Sequence, residues 1–245
     1  MNFVPTFDTQ LPADVLLERL RAYEPWGHRI DFSNGVSTSQ LARRVPFSER
    51  ALQKVDIVSK AIPFEALRGG ALLDIGCNSG HNAVHAAAHL GLRVTGLDVS
   101  PRHMAVSKLL AEMAGVQDRC EFLLADAETF LRPGAYDVVL HFGTLYHLPN
   151  PLLALKTSCG NLKPGGWLAL ETQTYDNPDD PNLCSFIHMS NNDKSNFWAI
   201  SEHVLARYMT FIGFTDIRVL LKVRPPVLAD SAHMHRIVMV ARKPA

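Results

Sequence analysis

The chain has 245 residues, of which 47% are hydrophobic, a composition that suits one α/β domain with a sizeable core. Lys plus Arg and Asp plus Glu both number 24, and because no stretch concentrates basic residues, nucleic acid is disfavoured as a partner. No apolar run approaches the ~20 residues of a membrane span and no charged leader is visible, so we expect a cytoplasmic protein without membrane contact.

The N-terminal region, residues 1–69, is expected to form a helical cover over the substrate. An amphipathic helix is predicted over 13–23 and a second helix after Ser48, with a polar and aromatic segment at 25–32 between them. An oligomer contact is the alternative role for this region, and a homodimer is compatible with it. The candidate substrate-binding residues in the polar segment are Trp26, His28 and Arg29.

Residues 72–82 have the pattern of a strand, a tight loop and the start of a helix. An apolar run ends in Asp74, the loop carries Gly76 and Gly80, and a helix-compatible run follows over 81–90. Glycines let the backbone approach a ligand closely, and the first N–H groups of the helix are free to bind it. The pattern predicts a nucleotide-type cofactor loop.

The spacing in this loop favours one class of cofactor. A nicotinamide site needs G-x-G-x-x-G, whereas here the glycines are four apart and Asp74 stands two residues before the first. A carboxylate there repels a pyrophosphate and suits a cationic group, such as the amino-acid part of S-adenosylmethionine. The candidate cofactor-binding residues of the loop are Asp74, Gly76, Cys77, Asn78 and Gly80.

Two further predicted strands, over 93–97 and 120–124, are also followed by acids. The carboxylate after the first strand can accept both ribose hydroxyls, and the one after the second can accept from the exocyclic amine of adenine. Three acids at three successive strand ends therefore strengthen the prediction of S-adenosylmethionine as the cofactor. The candidate cofactor-binding residues at these two strand ends are Asp98, Val99, Asp126 and Ala127.

The rest of the pattern continues the alternation of strands and helices that is typical of a doubly wound sheet. Residues 164–166 predict a turn before the fifth strand, and the last segment predicts a helix near 201–213 followed by an antiparallel pair. We expect an α/β fold with a mostly parallel, seven-stranded, Rossmann-like sheet. The remaining predicted elements are helices over 102–114 and 151–160 and strands over 137–142, 167–172, 217–221 and 237–241.

The ordered motifs of this chain resemble those of the class I S-adenosylmethionine-dependent methyltransferases. The resemblance covers roughly residues 70–175 and includes the loop after Asp74, the strand-end acids and the segment 136–141. Asn78 replaces the middle glycine of the family's loop, and Asn tolerates a left-handed backbone better than most residues. The backbone carbonyl of His141, at the end of the fourth strand, is a candidate acceptor for the cofactor's amino group.

A second resemblance concerns residues 143–151, the segment around Trp26, and residues 236–244. Together they are similar to the wobble-uridine carboxymethyltransferases of tRNA and to their small-molecule methyltransferase relatives. The resemblance implies that Tyr146 and Arg236 help to hold the extra carboxylate of carboxy-S-adenosylmethionine, together with a lysine that the N-terminal segment lacks. This departure and the neutral charge favour ordinary methyl transfer, with Tyr146 as a cofactor contact and Arg236 as a substrate contact.

The catalytic domain is expected to span residues 70–245. A polar insertion at 174–200 follows the fifth strand, and loops at that edge of a doubly wound sheet face the ligand crevice. We therefore expect the insertion to act as a lid over the substrate. A flexible surface loop or an oligomer contact is the alternative.

Methyl transfer to a hydroxyl or an amine needs a group that removes one proton. His147, after the fourth strand, is the first candidate base, and its alternative role is to cap the next helix. His28 and Asp31 form the second candidate, with bracing of the N-terminal segment as the alternative. Tyr146 is expected to position the acceptor or the cofactor.

Histidines recur every four residues on the helix after the cofactor loop, but Glu or Cys partners are not nearby, so no metal site is expected. These histidines are His81, His85 and His89.

The preferred function is methylation of a hydroxyl or amine of a small metabolite with S-adenosylmethionine as the donor. The alternatives are a tRNA wobble-uridine carboxymethyl or methyl transferase and a non-catalytic cofactor-binding protein. The sequence identifies neither the acceptor nor the oligomeric state.

Overall fold

The computed structural model describes residues 6–41, 48–188, 193–224 and 233–245. The chain divides into two compact units, a first unit of Met1–Ser59 with Pro63–Leu124 and a second unit of Lys60–Ile62 with Ala125–Ala245. These boundaries do not coincide with the expected division at residue 70, and the roles of cover and catalytic domain stay predictions.

The described part of the first unit contains the cofactor loop and the three strands that end in it or beside it. Its strands are β1 (Thr6–Phe7), β2 (Asp31–Phe32), β3 (Ala71–Ile75), β4 (Arg93–Asp98) and β5 (Cys120–Leu124). Its α-helices are α1 (Ala13–Arg21), α2 (Ser48–Ser59), α3 (His81–Ala88) and α4 (Pro101–Met113). Short 3-10 helices lie at Thr38–Leu41, Phe64–Leu67 and Gln117–Arg119.

The described part of the second unit contains the longest strand. Its strands are β6 (Tyr136–Phe142), β7 (Leu162–Tyr175), β8 (Cys184–Phe186), β9 (Trp198–Ile200), β10 (Thr215–Val223) and β11 (Met234–Arg242). Its helices are α5 (Pro151–Asn161), α6 (Glu202–Phe211) and a 3-10 turn at Leu145–His147.

A mostly parallel, seven-stranded sheet forms the centre of the fold, as the sequence predicts. In the first unit β4 lies between β3 and β5, and both pairings are parallel. In the second unit the order is β10, β11, β7 and β6, in which β6 and β7 are parallel and β11 is antiparallel to both of its neighbours. Apart from Ala71 at its start, β3 is buried along its length, which explains its continuous apolar run.

One prediction about this sheet is wrong. Residues 164–166 do not form a turn before the strand but belong to β7, which also runs past the predicted end to Tyr175. The register between β6 and β7 shifts at this point, so the proline and glycines form a bulge. Backbone hydrogen bonds to Lys243, which follows β11, fix this bulge. The N–H of Gly165 donates to the carbonyl of Lys243, and the N–H of Lys243 donates to the carbonyl of Gly166. Residues distant in the sequence therefore hold this segment in the sheet, while Gly165 keeps a left-handed backbone with φ +75°.

The predicted insertion, 174–200, contains regular structure where it is described. Strands β8 and β9 form an antiparallel pair in the register Cys184↔Ile200 and Phe186↔Trp198. The predicted polar run 190–193 lies outside the described residues except for Asp193. The side chain of the predicted Ser48 cap also lies outside them, although α2 begins at Ser48.

The described residues contain no helix that is both long enough and apolar enough to cross a bilayer.

Helix α3 meets the cofactor loop at Gly80, which has a left-handed backbone with φ +77°. A Cβ atom there would lie 2.8 Å from both Cβ and Oγ of Ser107 on α4. Ser107 cannot move away cheaply, because its hydroxyl donates to the carbonyls of His103 and Asn78. Close packing and backbone conformation therefore both require glycine at this position.

We predict that Gly80→Ala lowers the free energy of unfolding by ~2 to 4 kcal/mol. This value is the sum of the cost of an alanine in the left-handed conformation and the cost of the overpacked contact with Ser107. Gly115→Ala is the matched control, since Gly115 has φ +66° but open space around it. It should cost only ~1 to 2 kcal/mol. Urea unfolding of both variants measures the difference, and equal losses would show that the Ser107 contact is not a constraint.

Candidate cofactor and active site

The cofactor loop is built from three left-handed residues between β3 and α3. Gly76, Asn78 and Gly80 have φ values of 66°, 50° and 77°. Asn78 thus adopts the conformation that a glycine would supply, as the sequence predicts for this substitution. Cys77 N–H donates to the Leu97 carbonyl of β4, which ties the loop to the neighbouring strand. These backbone angles and this hydrogen bond give the loop a defined, curved backbone.

Asp74 is the penultimate residue of β3, just before this loop, and is 1% exposed. Its carboxyl group accepts a hydrogen bond from the Ala83 backbone N–H in α3, while Oδ2 is buried without a hydrogen-bond partner. Burial, together with repulsion from Asp98, raises the pKa of Asp74 to about 7. A buried carboxylate oxygen that lacks a partner is suited to an incoming cation, so the residues present fit the ammonium group of S-adenosylmethionine.

Asp98 holds the loop in place from the end of β4. Its carboxylate accepts from Asn78 N–H at 3.0 Å and from Ser100 N–H at 2.9 Å, and it lies 3.0 Å from Nδ1 of His103. Burial alone would raise the pKa of Asp98, but these contacts outweigh it and hold the pKa below its usual value. Asp98 is therefore charged and already braces the loop, a role that the sequence did not indicate.

Two exposed apolar side chains flank Asp98. Val99 follows it in the chain and is 70% exposed, and Leu124 lies opposite it in the register with β5 and is 60% exposed. Together they form an exposed apolar surface beside the charged end of β4.

The predicted N-terminal contacts divide into two groups. Trp26 is 5% exposed and donates through Nε1 to the Leu20 carbonyl, so its ring packs in the core of the first unit. Arg29 and Asp31 form an ion pair with each other, at 2.9 Å. His28 instead reaches the cofactor loop, where its Nδ1 lies 3.1 Å from Ser79 Oγ.

The His28 ring also stacks on His81 at 4.1 Å between centroids. Burial, with smaller contributions from Lys54 and His103, lowers the pKa of His28 to about 4, and burial lowers that of His81 further. Both rings are therefore neutral at pH 7. The contact with Ser79 was missed in the sequence, since nothing local links residues 51 positions apart.

Among the described residues, no three His, Cys, Asp or Glu side chains are grouped so as to hold a metal ion.

In the second unit, the residues predicted to contact the cofactor differ in accessibility. Asp126 is exposed and uses Oδ1 to accept from Glu128 N–H at 2.8 Å, and Ala127 is buried. His141 is fully buried on β6, and its Nδ1 lies 3.4 Å from Ser158 Oγ. Burial lowers the pKa of His141 to about 4, so its ring is a neutral core group.

Arg236 on β11 lies in a part-buried polar cluster with Tyr146 and Glu171, of which only Glu171 is fully buried. Its Nε and Nη2 atoms are 2.7 and 2.6 Å from Glu171 Oε1 on β7, and its guanidinium lies 4.8 Å from the centre of the Tyr146 ring. Burial would lower the pKa of Arg236, but the Glu171 carboxylate outweighs it and the pKa is raised. Glu171 was missed in the sequence, and its charge neutralises the predicted anion-binding arginine.

His147 ends the 3-10 turn Leu145–His147 and is half-buried. Its Nδ1 lies 3.1 Å from the carbonyl oxygen and 3.0 Å from Oγ of Ser195 in the insertion. Burial lowers the pKa of His147, opposed by the Ser195 carbonyl and by Asp193. The imidazole is therefore neutral near pH 7, the state that a general base requires.

The sequence and the fold are both similar to known methyltransferases. Residues 47–219, more than half of the chain, match a family described as a methyltransferase domain. A tRNA U34 carboxymethyltransferase of Desulfotalea psychrophila is 35% identical over 64% of this chain and 46% of its own length. A ubiquinone biosynthesis O-methyltransferase of Paraburkholderia xenovorans is 36% identical over 43% of this chain and 45% of its own. The chain thus spans under half the length of these relatives.

A solved structure extends the similarity to almost the whole fold. The N-terminal domain of EvdMO1, crystallised with S-adenosylhomocysteine bound, superimposes with a TM-score of 0.72 at 19% identity, over 95% of this chain and 98% of that domain. The extent of the family match and this common fold confirm the resemblance found in the motifs. The chain belongs to the methyltransferase domain family, whose methyl donor is S-adenosylmethionine.

Proposed function

We propose that this protein transfers a methyl group from S-adenosylmethionine to a hydroxyl or an amine of a small metabolite. The observation that carries the proposal is the buried Asp74 oxygen without a partner beneath a loop of left-handed residues. An anionic cofactor would be repelled there, whereas an amino group would supply the missing hydrogen bond.

Residues of the first unit hold the cofactor in this proposal. Asp74 accepts from its ammonium group, and the remaining lone pairs of Asp98 accept from the ribose hydroxyls. The exposed side chains of Val99 and Leu124 cover the adenine. When bound, S-adenosylmethionine supplies a methyl group on a sulfonium for in-line displacement. In the second unit, Asp126, Ala127, Tyr146 and the His141 carbonyl remain candidate contacts.

A small acceptor is supported by charge. The chain has equal numbers of acidic and basic residues, and Arg236, the predicted anion contact, is already neutralised by Glu171. A polyanionic acceptor would therefore find little attraction in this part of the second unit. The similarity to a ubiquinone biosynthesis O-methyltransferase points in the same direction.

His147 is the proposed base. It is neutral near pH 7, and its Nδ1 is engaged by Ser195, which leaves Nε2 to receive a proton. His28 is the alternative base, but its pKa of about 4 makes it a weaker proton acceptor at pH 7, and its proposed partner Asp31 pairs with Arg29 instead. Residues 1–69 and 174–200 are the proposed substrate covers.

A tRNA carboxymethyltransferase is the second candidate, because the relative from Desulfotalea psychrophila carries that name and Tyr146 and Arg236 are both present. In this alternative the Arg236 guanidinium binds a carboxylate. The ion pair with Glu171 opposes it, since a second carboxylate would face a neutral pair.

The first prediction concerns Asp98. Asp98→Ala should weaken binding of S-adenosylhomocysteine by ~1.5 to 3 kcal/mol, because charge-assisted contacts to the ribose are lost. Isothermal titration measures this change. Asp118→Ala, which removes an exposed acid from the same unit, should bind normally. Asp98→Asn is a second variant, which keeps one acceptor oxygen for the loop. If the dissociation constant is unchanged in this variant and in a folded Asp98→Ala, then Asp98 does not bind the cofactor.

The second prediction concerns His147. His147→Ala should lower kcat by ~10² while leaving the affinity for S-adenosylhomocysteine nearly intact, because the base acts in the transition state. Release of S-adenosylhomocysteine across a panel of small hydroxyl and amine acceptors provides the assay. His203→Ala, which removes an exposed histidine of α6, is the control. If only His28→Ala lowers kcat, the base is His28.

The third prediction separates the two candidate functions. The parent protein should bind S-adenosylmethionine at least ~10-fold more tightly than its carboxylated form, a difference of ~1.4 kcal/mol. Glu171→Gln should reduce this difference in affinity, because the charge of Arg236 is then no longer neutralised by a carboxylate. The amide oxygen of the new side chain can still accept a hydrogen bond from the guanidinium. Tighter binding of the carboxylated cofactor by the parent would favour the tRNA carboxymethyltransferase instead.

A further inference from the structure

The insertion contributes the groups that face the imidazole of His147. Ser195 places both its carbonyl oxygen and its hydroxyl within 3.1 Å of Nδ1. A carbonyl oxygen can only accept, so Nδ1 must carry a proton. A neutral imidazole with hydrogen on Nδ1 has its lone pair on Nε2.

Asp193 fixes the orientation of Ser195. Its Oδ1 accepts from Ser195 N–H at 2.9 Å and from Ser195 Oγ–H at 2.6 Å. Because the hydroxyl proton of Ser195 is given to Asp193, the oxygen lone pairs of that hydroxyl face Nδ1–H. Both hydrogen bonds therefore favour the same tautomer.

This segment is anchored to the turn that carries His147. Phe197 N–H donates to the Tyr146 carbonyl at 2.8 Å, and Trp198 Nε1 donates to the Pro149 carbonyl at 3.1 Å. Contacts on both sides of His147 thus hold residues 195–198 against the turn. The alignment of Ser195 with Nδ1 is a built feature of the second unit.

We propose that Asp193 and Ser195 are positioning residues that hold His147 with hydrogen on Nδ1, so that Nε2 is the proton acceptor. This inference rests on the proposed function of His147 as the base. In that reaction the acceptor O–H or N–H bond would break as its proton moves to Nε2, and the electron pair left on the acceptor would form the new bond to the methyl carbon. The methyl–sulfur bond would break at the same time, and its electron pair would stay on the sulfur of the departing S-adenosylhomocysteine. The resulting imidazolium returns its proton to water.

The charged groups around His147 act in opposite directions. Burial lowers the pKa of His147, Asp193 raises it, and Arg236 on β11 lowers it. The ring of Tyr146 also faces the imidazole, with 4.2 Å between the two ring centroids. Asp193 therefore also stabilises the imidazolium that forms during proton transfer. Removing its charge should lower the pKa of His147.

The test uses two variants of Asp193 in the full chain. Asp193→Ala removes both acceptor contacts, so nitrogen NMR of His147 should show a rising fraction of the tautomer with hydrogen on Nε2, and kcat should fall by ~10-fold. Asp193→Asn keeps an acceptor oxygen but loses the charge. In this variant His147 should keep its hydrogen on Nδ1. The pKa of His147 and the acid limb of the pH profile of kcat/KM should both move to lower pH.

Asp216→Asn is the matched control, because it removes an exposed acid of β10 that pairs with Arg218, and Asn suits its left-handed backbone. It should change neither the spectrum nor the rate. An unchanged tautomer in Asp193→Ala would overturn the inference, as would an altered tautomer with unchanged kcat. Failure of the base assignment is recognised separately, because His147→Ala would then retain activity.

Discussion

The conformation of the cofactor loop depends on the hydrogen bonds that the carboxylate of Asp98 accepts. Three alternate residues of that loop, Gly76, Asn78 and Gly80, adopt left-handed backbone conformations, which an isolated peptide would not hold. Asp98 receives the N–H of Asn78 in the middle of the loop and that of Ser100 at the start of α4. One side chain thus fixes the loop and the following helix together.

Much of the fold was predictable because its signals are local. The limits of β3 and β5 follow from apolar runs that end in charged or polar residues, and the loop follows from glycine spacing. The extension of β7 through residues 164–166 was not predictable, because it depends on hydrogen bonds that the backbone of Lys243 accepts from Gly165 and donates to Gly166. Local turn propensity and long-range pairing disagree there, and pairing with the distant strand decides the structure.

For the candidate site, too, the sequence predicts what is local and not what depends on distant residues. The acids at strand ends are visible in the sequence, but their partners are not, since Glu171 and Arg236 are 65 positions apart and His147 and Ser195 are 48 apart. These contacts change the chemistry more than the residues themselves suggest. A lone arginine predicts an anion site, whereas an arginine paired with a buried glutamate is a neutral, rigid support for Tyr146.

The buried imidazoles make the protein sensitive to mild acid. His28, His85 and His141 have pKa values near 4 because burial disfavours their charged forms, whereas each ring titrates near 6.5 in an unfolded chain. The pKa of His81 is lower still, so between these values the four rings of the unfolded chain bind about four more protons than those of the folded one, and the single proton retained by Asp74 offsets only one of them. The free energy of unfolding therefore falls as the pH drops from 6.5 towards 4.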